Sequence, residues 1–354
     1  MSPRFSYRFI FSISSLVVAS LACRVVTDFI DGNSSPYTPE APVPSEPSVE
    51  PTAVEPTQTH PLTEISSCPV VTDKILEVAT DYYPDNPGNE NTEEPEELHL
   101  VTYGVSGNQI KDPFLENVST DLIPYQQDEA DQRAIWNYFA TLIPLHERSA
   151  LAEYSIVTDG EGNLLAAVAQ TSYDPILWEL EVDIRDSGDR FNLTYTLIHE
   201  YAHLLTLGPD QVIPSVAVFK HPHDDDIFYA EASSCPDYFP GEGCSKSDSY
   251  INVFFNRFWA DIHEEWQDIN LIESDDKYYS AMQDFYAKYK DRFVTEYAST
   301  NPEEDIAEAF AFFVLSPLPQ GNSIAEEKIL FFYDYPELVQ LRDDIVTGIC
   351  SLNQ

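Results

Sequence analysis

The residue types that could do chemistry together lie in one short run, Leu197-Ile198-His199-Glu200-Tyr201-Ala202-His203-Leu204-Leu205. It has the form H-E-x-x-H. On a helix, four residues of separation put both imidazoles on one face, one turn apart, where a single metal ion reaches both. Glu200 then lies close to such an ion without being needed as a ligand, and it can take a proton from a metal-bound water. Zinc suits two imidazoles and a carboxylate, and it lowers the pKa of a bound water to about 7. One zinc per chain is the expected cofactor. The bare motif also arises by chance, so its surroundings matter. Tyr195, Leu197, Ile198, Ala202, Leu204, Leu205 and Leu207 make the run apolar on nearly every side. Two histidines and a glutamate inside a buried helix need partners, and a metal supplies one. His146-Glu147-Arg148-Ser149-Ala150 and His263-Glu264-Glu265-Trp266-Gln267 begin alike but lack the second histidine.

A third ligand has to come from elsewhere. The longer motif H-E-x-x-H-x-x-G-x-x-H fails, because Thr206 stands at its glycine and Pro209 at its last histidine. A carboxylate on a later helix remains, and Thr300-Asn-Pro-Glu-Glu304-Asp-Ile-Ala-Glu308-Ala-Phe-Ala-Phe-Phe-Val-Leu315 is the best region. Pro302 suits the first helical turn and Asn301 its cap. Glu304 and Glu308 fall one turn apart on one face. Beyond Asp305 the helix is apolar except for Glu308, whose lone carboxylate needs a partner such as a zinc-bound histidine. Glu304 has two readings. It is a metal ligand, or it closes a capping box with Asn301 and needs no metal. The histidines favour the ligand reading, with Glu303 and Glu308 as fallback ligands.

Tyr297, Thr300-Asn301, Glu304 and Ala307-Glu308-Ala309-Phe310, together with His199-Glu200 and His203, resemble the catalytic domain of the anthrax lethal factor family and its Pro-Pro endopeptidase relatives. These are gluzincin metallopeptidases. The resemblance implies a zincin-like domain in which His199, His203 and Glu304 bind zinc and Glu200 is the general base. It further implies that Glu308 braces a zinc histidine and that Tyr297 helps stabilise the oxyanion. It covers these two helices only. The gap from His203 to Glu304 is longer than the family implies, which places an insertion at roughly residues 209–275, and substrate preference does not carry over.

The elements that must position these residues read as strands first and helices after. Tyr154–Gly160 and Asn163–Gln170 flank a glycine-containing turn and read as a hairpin, and Trp178–Ile184 alternates as a half-buried strand. A helix is expected around Asp128–Leu145, another over Phe191–Leu207 stopped by Gly208-Pro209, and further ones over Tyr250–Ile269, Lys277–Tyr297, Pro302–Leu315 and Glu326–Asp343. Residues 86–98 read as an acidic loop. The fold class expected is α+β, a small N-terminal sheet followed by the helices that carry the site. Within 209–275, the run from His221 to Asp226 reads as a solvated acidic loop or a second cation site, and the aromatics of Tyr250–Trp266 as a helix seam.

Composition bounds the rest. The chain has 354 residues, with 18 Lys and Arg against 61 Asp and Glu, a net charge of −43. Such a surface repels phosphate backbones and anionic headgroups, so nucleic acid is excluded as a partner and a membrane is reached only through a lipid anchor. A peptide or protein is the expected substrate and a monomer the expected state. Arg4 and Arg8 precede an apolar stretch from Phe9 to Ala22, which reads as an export signal over residues 1–22. Ser20-Leu21-Ala22-Cys23 fits a loose lipobox with Cys23 lipidated, and equally a signal-peptidase site. Residues 23–66 are a proline-rich tether, and 67–354 the metallopeptidase domain. The chain is therefore expected to be secreted or held at the cell surface as a lipoprotein. With Cys23 set aside, Cys235 pairs most simply with Cys244 across a Pro/Gly loop, and Cys68 with Cys350. A surface adhesion protein on an inactive zincin scaffold is the rival class, and a zinc hydrolase of non-peptide amides a third. Mass spectrometry of the mature N-terminus should find a lipid on Cys23, and an unmodified Cys23 thiol would end the lipoprotein reading.

Overall fold

The computed structural model describes residues 97–160 and 164–352. The expected signal, the tether, Cys23 and Cys68 lie outside the described residues. The sheet is built from β1 (Leu98–Ser106), β2 (Gln109–Leu115), β3 (Leu151–Thr158), β4 (Ala166–Gln170) and β5 (Trp178–Asp183). The order is β2-β1-β3-β5-β4, with β3 parallel to β5 and the other pairs antiparallel. β1 and β2 were not expected from the sequence. Gly107, at φ 63°, turns the chain between them, and β2 carries Pro113 and a largely exposed set of side chains. An edge strand tolerates both, because one side of its backbone needs no ladder partner.

The hairpin expected over 154–170 does not form. β5 lies between β3 and β4, so the true hairpin is β4–β5, with Thr171 to Leu177 as its loop. The strands themselves are where alternation put them, but pairing is decided by burial. Trp178, Leu180 and Val182 are buried and claim a central strand. The alanine-rich β4 takes the edge, where its short side chains let a helix approach.

That helix follows in a series. After α1 (Ile123–Gln126) and α2 (Glu129–Leu142) come α3 (Arg190–Leu207), α4 (Val216–Lys220) and α5 (Asp225–Ser234). Then come α6 (Tyr250–Phe258), α7 (His263–Asn270), α8 (Asp275–Tyr289), α9 (Pro302–Leu315), α10 (Ile324–Phe331) and α11 (Pro336–Leu352). Two short strands, β6 (Val212–Pro214) and β7 (Gly243–Ser245), pair between them. The domain is α+β, sheet first and helices after. Three expected helices divide. Tyr250–Ile269 breaks at Trp259, whose fully buried indole donates to Asp305 at 2.7 Å. The helix expected to run to Tyr297 stops at Tyr289, with Tyr297 in a separate single turn. The weak helix at 326–343 is two, parted before Pro336, which cannot continue a helix from its preceding turn.

The segment 209–275 packs into the same core. Phe254, Phe258 and Trp259 are buried, and Phe254 meets Phe331 edge-to-face, so the seam reading of its aromatics holds. Cys235 is bonded to Cys244 as expected, their Cα atoms 5.4 Å apart. Cys350 is also disulfide-bonded, and Cys68, its expected partner, lies outside the described residues. Among the described residues no helix is long and apolar enough to cross a membrane.

One ion pair ties α10 to α9. Lys328 is fully buried, its Nζ lies 2.5 Å from Asp305 Oδ2, and it faces the ring of Phe293 at 4.2 Å. Burial lowers the lysine and raises Asp305 to about 6, the residual cost of sealing both charges in an aromatic box. Lys328→Ala leaves Asp305 buried and unpaired. It should cost about 3–5 kcal/mol in urea unfolding, and a loss below ~1 kcal/mol would show that the pair is not what holds these helices together.

Candidate metal centre

Each site residue is placed by a local rule. Asp189 caps α3 by accepting from the Phe191 and Asn192 amides at 2.9 and 3.3 Å. Gly208 ends the helix, where a Cβ would stand 2.4 Å from the Leu204 carbonyl oxygen. Between them α3 is buried over most of its length, including His199, Glu200 and His203. α9 starts at Pro302, with Asn301 Oδ1 accepting from the Glu304 amide at 2.8 Å. Only half of the capping box forms: Asn301 takes the Glu304 amide, but the Glu304 carboxylate does not reach back to the cap. The backbone N–H goes to the cap and the carboxylate goes to the histidines.

The convergence is tight. Glu304 Oε2 lies 3.0 Å from His199 Nε2 and 3.5 Å from His203 Nε2, and the two Nε2 atoms are 3.1 Å apart. Ligand atoms of a tetrahedral ion with bonds of about 2.0–2.2 Å stand roughly 3.3–3.5 Å from one another, so these separations are of the size a single small ion demands. His203 Nδ1 and Glu304 Oε1 are buried without a hydrogen-bond partner. Two imidazoles and a carboxylate are also the donor set that zinc prefers. The residues therefore fit a metal ion, and His199, His203 and Glu304 could hold one.

Glu308 sits behind this cluster. Its Oε1 lies 2.8 Å from His199 Nδ1 and accepts from the Tyr195 hydroxyl at 2.7 Å, while Oε2 accepts from Thr295 at 2.5 Å. Burial opposes a charged His199, but the hydrogen bonds to Glu304 and Glu308 outweigh it and raise the ring well above its ordinary value. Burial would likewise raise Glu304, but the two imidazoles hold it far below the usual carboxylate range. Glu200 stands beside the cluster without joining it. Its Oε2 accepts from the Val168 amide on β4 at 3.0 Å, and burial, partly offset by the histidines, raises it to about 7. The Tyr297 ring lies 5.9 Å from that of His199, centre to centre.

The structure brings together His199, Glu200, His203, Glu304, Glu308 and Tyr297. It separates Glu303, the fallback ligand, whose Oε1 accepts from the Tyr238 hydroxyl at 2.6 Å. Burial raises Glu303 to about 7 and raises the nearby buried Glu242 as well. Asp224, in the polar run of the 209–275 segment, caps α5 through the Ile227 amide. Among the described residues neither His221, His223 nor Asp224 to Asp226 belongs to a group that could hold a metal. Tyr195 and Thr295 were not foreseen. Tyr195 lies one turn before His199, so helical spacing could have found it, whereas Thr295 is on a loop and leaves no periodic trace.

Comparison with known protein families, with curated proteins and with solved structures found no significant match. What defines the site is its own geometry: an α+β domain in which two helices and a sheet edge meet at two imidazoles and a buried carboxylate.

Purified full-length protein should carry about one equivalent of transition metal by mass spectrometry, and His199→Ala, His203→Ala and Glu304→Ala should each cut that occupancy by roughly tenfold or more. Glu303→Gln should leave it near wild type. Full occupancy in Glu304→Ala would mean that the wrong carboxylate is assigned.

Proposed function

We propose that this chain is a zincin-like zinc metallopeptidase of the gluzincin type, secreted or tethered at a cell surface, that cleaves peptide bonds within a protein or peptide substrate. The observation that carries this reading is Glu200. A structural metal site has no use for a buried carboxylate beside it that ligates nothing, is raised toward neutrality and leans against an edge strand. That is the environment of a general base.

A zinc ion held by His199, His203 and Glu304 would polarise the scissile carbonyl and make water acidic enough to lose a proton near neutral pH. Glu200 takes that proton and returns it to the leaving amine. Its carboxylate is kept in place by the Val168 amide, so it needs little reorganisation to do so. Glu308 accepts from His199 Nδ1 and so fixes the ring with Nε2 turned toward Glu304. Tyr297, against the His199 ring, donates to the oxyanion as charge develops. Substrate backbone pairs with β4. Val168 turns its amide outward to Glu200, and by alternation Ala166 and Gln170 face the same free edge. An extended peptide added there lies across α3 with its scissile bond over the histidines.

Glu200→Gln tests this reading, since the amide oxygen can still accept from Val168. Metal content and melting temperature should stay near wild type, while cleavage of a peptide library falls by roughly 10²-fold or more. Tyr297→Phe should also keep the metal and lose part of the rate, on the order of 10- to 1,000-fold. Undiminished cleavage by Glu200→Gln would sink the mechanism. Metal-loaded wild type that cleaves nothing at any pH would leave an inactive binding scaffold.

A further inference from the structure

A second place where acidic groups converge lies at the other end of the path into α3. Asp159 follows β3, and Asp183 and Asp186 flank the exit from β5 into the loop that leads to Asp189, the cap of α3. One oxygen from each carboxylate lies within 4.8 Å of the others. Asp159 is about nine-tenths buried and Asp183 fully so, while Asp186 is exposed.

The hydrogen bonds show which oxygens are spoken for. Asp159 Oδ2 accepts from the Leu164 amide at 2.9 Å. Asp183 Oδ2 accepts from the Asp159 amide at 2.9 Å and Oδ1 from the Arg185 amide at 2.7 Å. Asp159 Oδ1 is buried without a hydrogen-bond partner. A buried carboxylate oxygen with nothing to bind is costly, and two further carboxylates lie close to this one's side chain. Burial raises Asp183 against the Asp159 and Arg185 amides and the Thr158 hydroxyl, which lower it, with the Asp159 charge adding a little; burial and both neighbours raise Asp186, with Arg185 as its opposing cation. The Arg185 guanidinium itself lies over the Tyr125 ring, 5.8 Å from its centre.

We propose that Asp159, Asp183 and Asp186 form a calcium site that clips the end of β3 to the loop entering the histidine-bearing helix. The donors are all hard oxygens, with no imidazole or thiolate to favour zinc. Oxygens around a calcium ion, bonded at 2.3–2.6 Å, stand up to roughly 5 Å apart, which covers the separation found here. Mg²⁺ asks for a tighter octahedron with bonds near 2.0–2.1 Å. Calcium can still bond oxygens that already accept an amide hydrogen, because a carboxylate has about four lone-pair directions. Water and backbone carbonyls complete the six to eight ligands it takes. Occupancy neutralises the unpartnered Asp159 oxygen and steadies the turn before the α3 cap. This site is separate from the histidine cluster and does not rest on the peptidase reading.

Full-length protein dialysed free of calcium is titrated with Ca²⁺ by calorimetry, and its melting temperature is followed in parallel, with Mg²⁺ and Zn²⁺ as comparison ions. A saturable heat with Kd between about 10⁻⁶ and 10⁻³ M, and a rise in melting temperature, are expected for Ca²⁺. Asp186→Asn, at an exposed position, should keep the calcium-free melting temperature and weaken binding by roughly tenfold or more. His203→Ala should respond to Ca²⁺ as wild type does. The proposal fails if no saturable response occurs up to ~10 mM Ca²⁺, or if Asp186→Asn responds like wild type. It also fails if His203→Ala abolishes the response, or if Mg²⁺ binds as tightly.

Discussion

Everything around the site depends on how one helix gets away with burying four carboxylates. Glu303, Glu304, Asp305 and Glu308 lie in the first two turns of α9, and each is at most 2% exposed. The helix N-terminus favours negative charge by only about 0.3–1 kcal/mol per group, far short of the several kcal/mol that burying an unpaired carboxylate costs. Each acid therefore needs its own partner, and the helix turns each in a different direction. Glu303 goes to Tyr238, Glu304 to the two histidines, Asp305 to Lys328 and Trp259, and Glu308 to His199, Tyr195 and Thr295. Four partner sets fix α9 against α3, α10, the Tyr238 loop, Trp259 just after α6 and the segment before α9 itself. The apolar remainder of α9, including Ile306, Phe310, Phe313 and Val314, supplies burial of roughly 1.5–3 kcal/mol per side chain. It supplies little direction, and the acids set the register.

α3 is the complement of that helix. It is largely apolar, and the polar atoms of its central turns split between neighbours: Tyr195, His199 and His203 meet α9, Glu200 meets β4, and the Tyr201 hydroxyl donates to Glu147. It comes close enough to β4, a strand of mostly short side chains, for Glu200 to reach the Val168 backbone amide. An edge strand with larger side chains would hold the helix off and leave Glu200 without its anchor. Setting Glu200 against an edge strand also leaves further backbone donors and acceptors of that strand beside the histidines, the surface that the proposed peptide substrate would use.

How much of this was legible depended on whether the signal was local. His199, Glu200 and His203 could be read because i, i+4 spacing on an apolar helix is a local pattern, and Glu304 and Glu308 for the same reason. Glu303 could not be separated from Glu304 as a ligand by spacing, because adjacent residues differ only in direction, and direction was set by Tyr238 from another element. The strands at 154–158 and 166–170 were legible from alternation, but their pairing was not, since Trp178, Leu180 and Val182 had a stronger claim to the central position. β1 and β2 escaped because β2 lacks a regular alternation, is mostly exposed and carries Pro113, the usual disguise of an edge strand. Trp259 broke a helix that periodicity would have carried through, because its indole had a buried acid to satisfy. Lys328 looked like one surface lysine among 18 basic residues, and only the fold shows that it is sealed against Asp305.

Hydrogen bonding decides why Glu304, and not Glu308, meets the metal position. Both acids address the same ring, Glu308 at Nδ1 and Glu304 near Nε2. The Glu308 carboxylate accepts from Tyr195 and Thr295, hydroxyls that surround it with donors, so its contact with His199 is one in which Nδ1 donates. That leaves Nε2 with a lone pair. It faces Glu304 Oε2 and His203 Nε2 within 3.1 Å of each. His199 Nε2 and Glu304 Oε2 then meet lone pair to lone pair at 3.0 Å, and they repel unless a proton or a metal ion sits between them. A proton can fill that role: Glu304 and Glu308 favour it on His199 despite burial, and the two imidazoles keep Glu304 from taking it. A proton can lie between only two of the atoms at a time, and it does nothing for the stranded Glu304 Oε1. A divalent ion reaches all three donors at once, with charge enough for the carboxylate. The second acid thus acts through the first histidine: by fixing which nitrogen carries hydrogen, Glu308 leaves the opposite side of the ring able to ligate an ion.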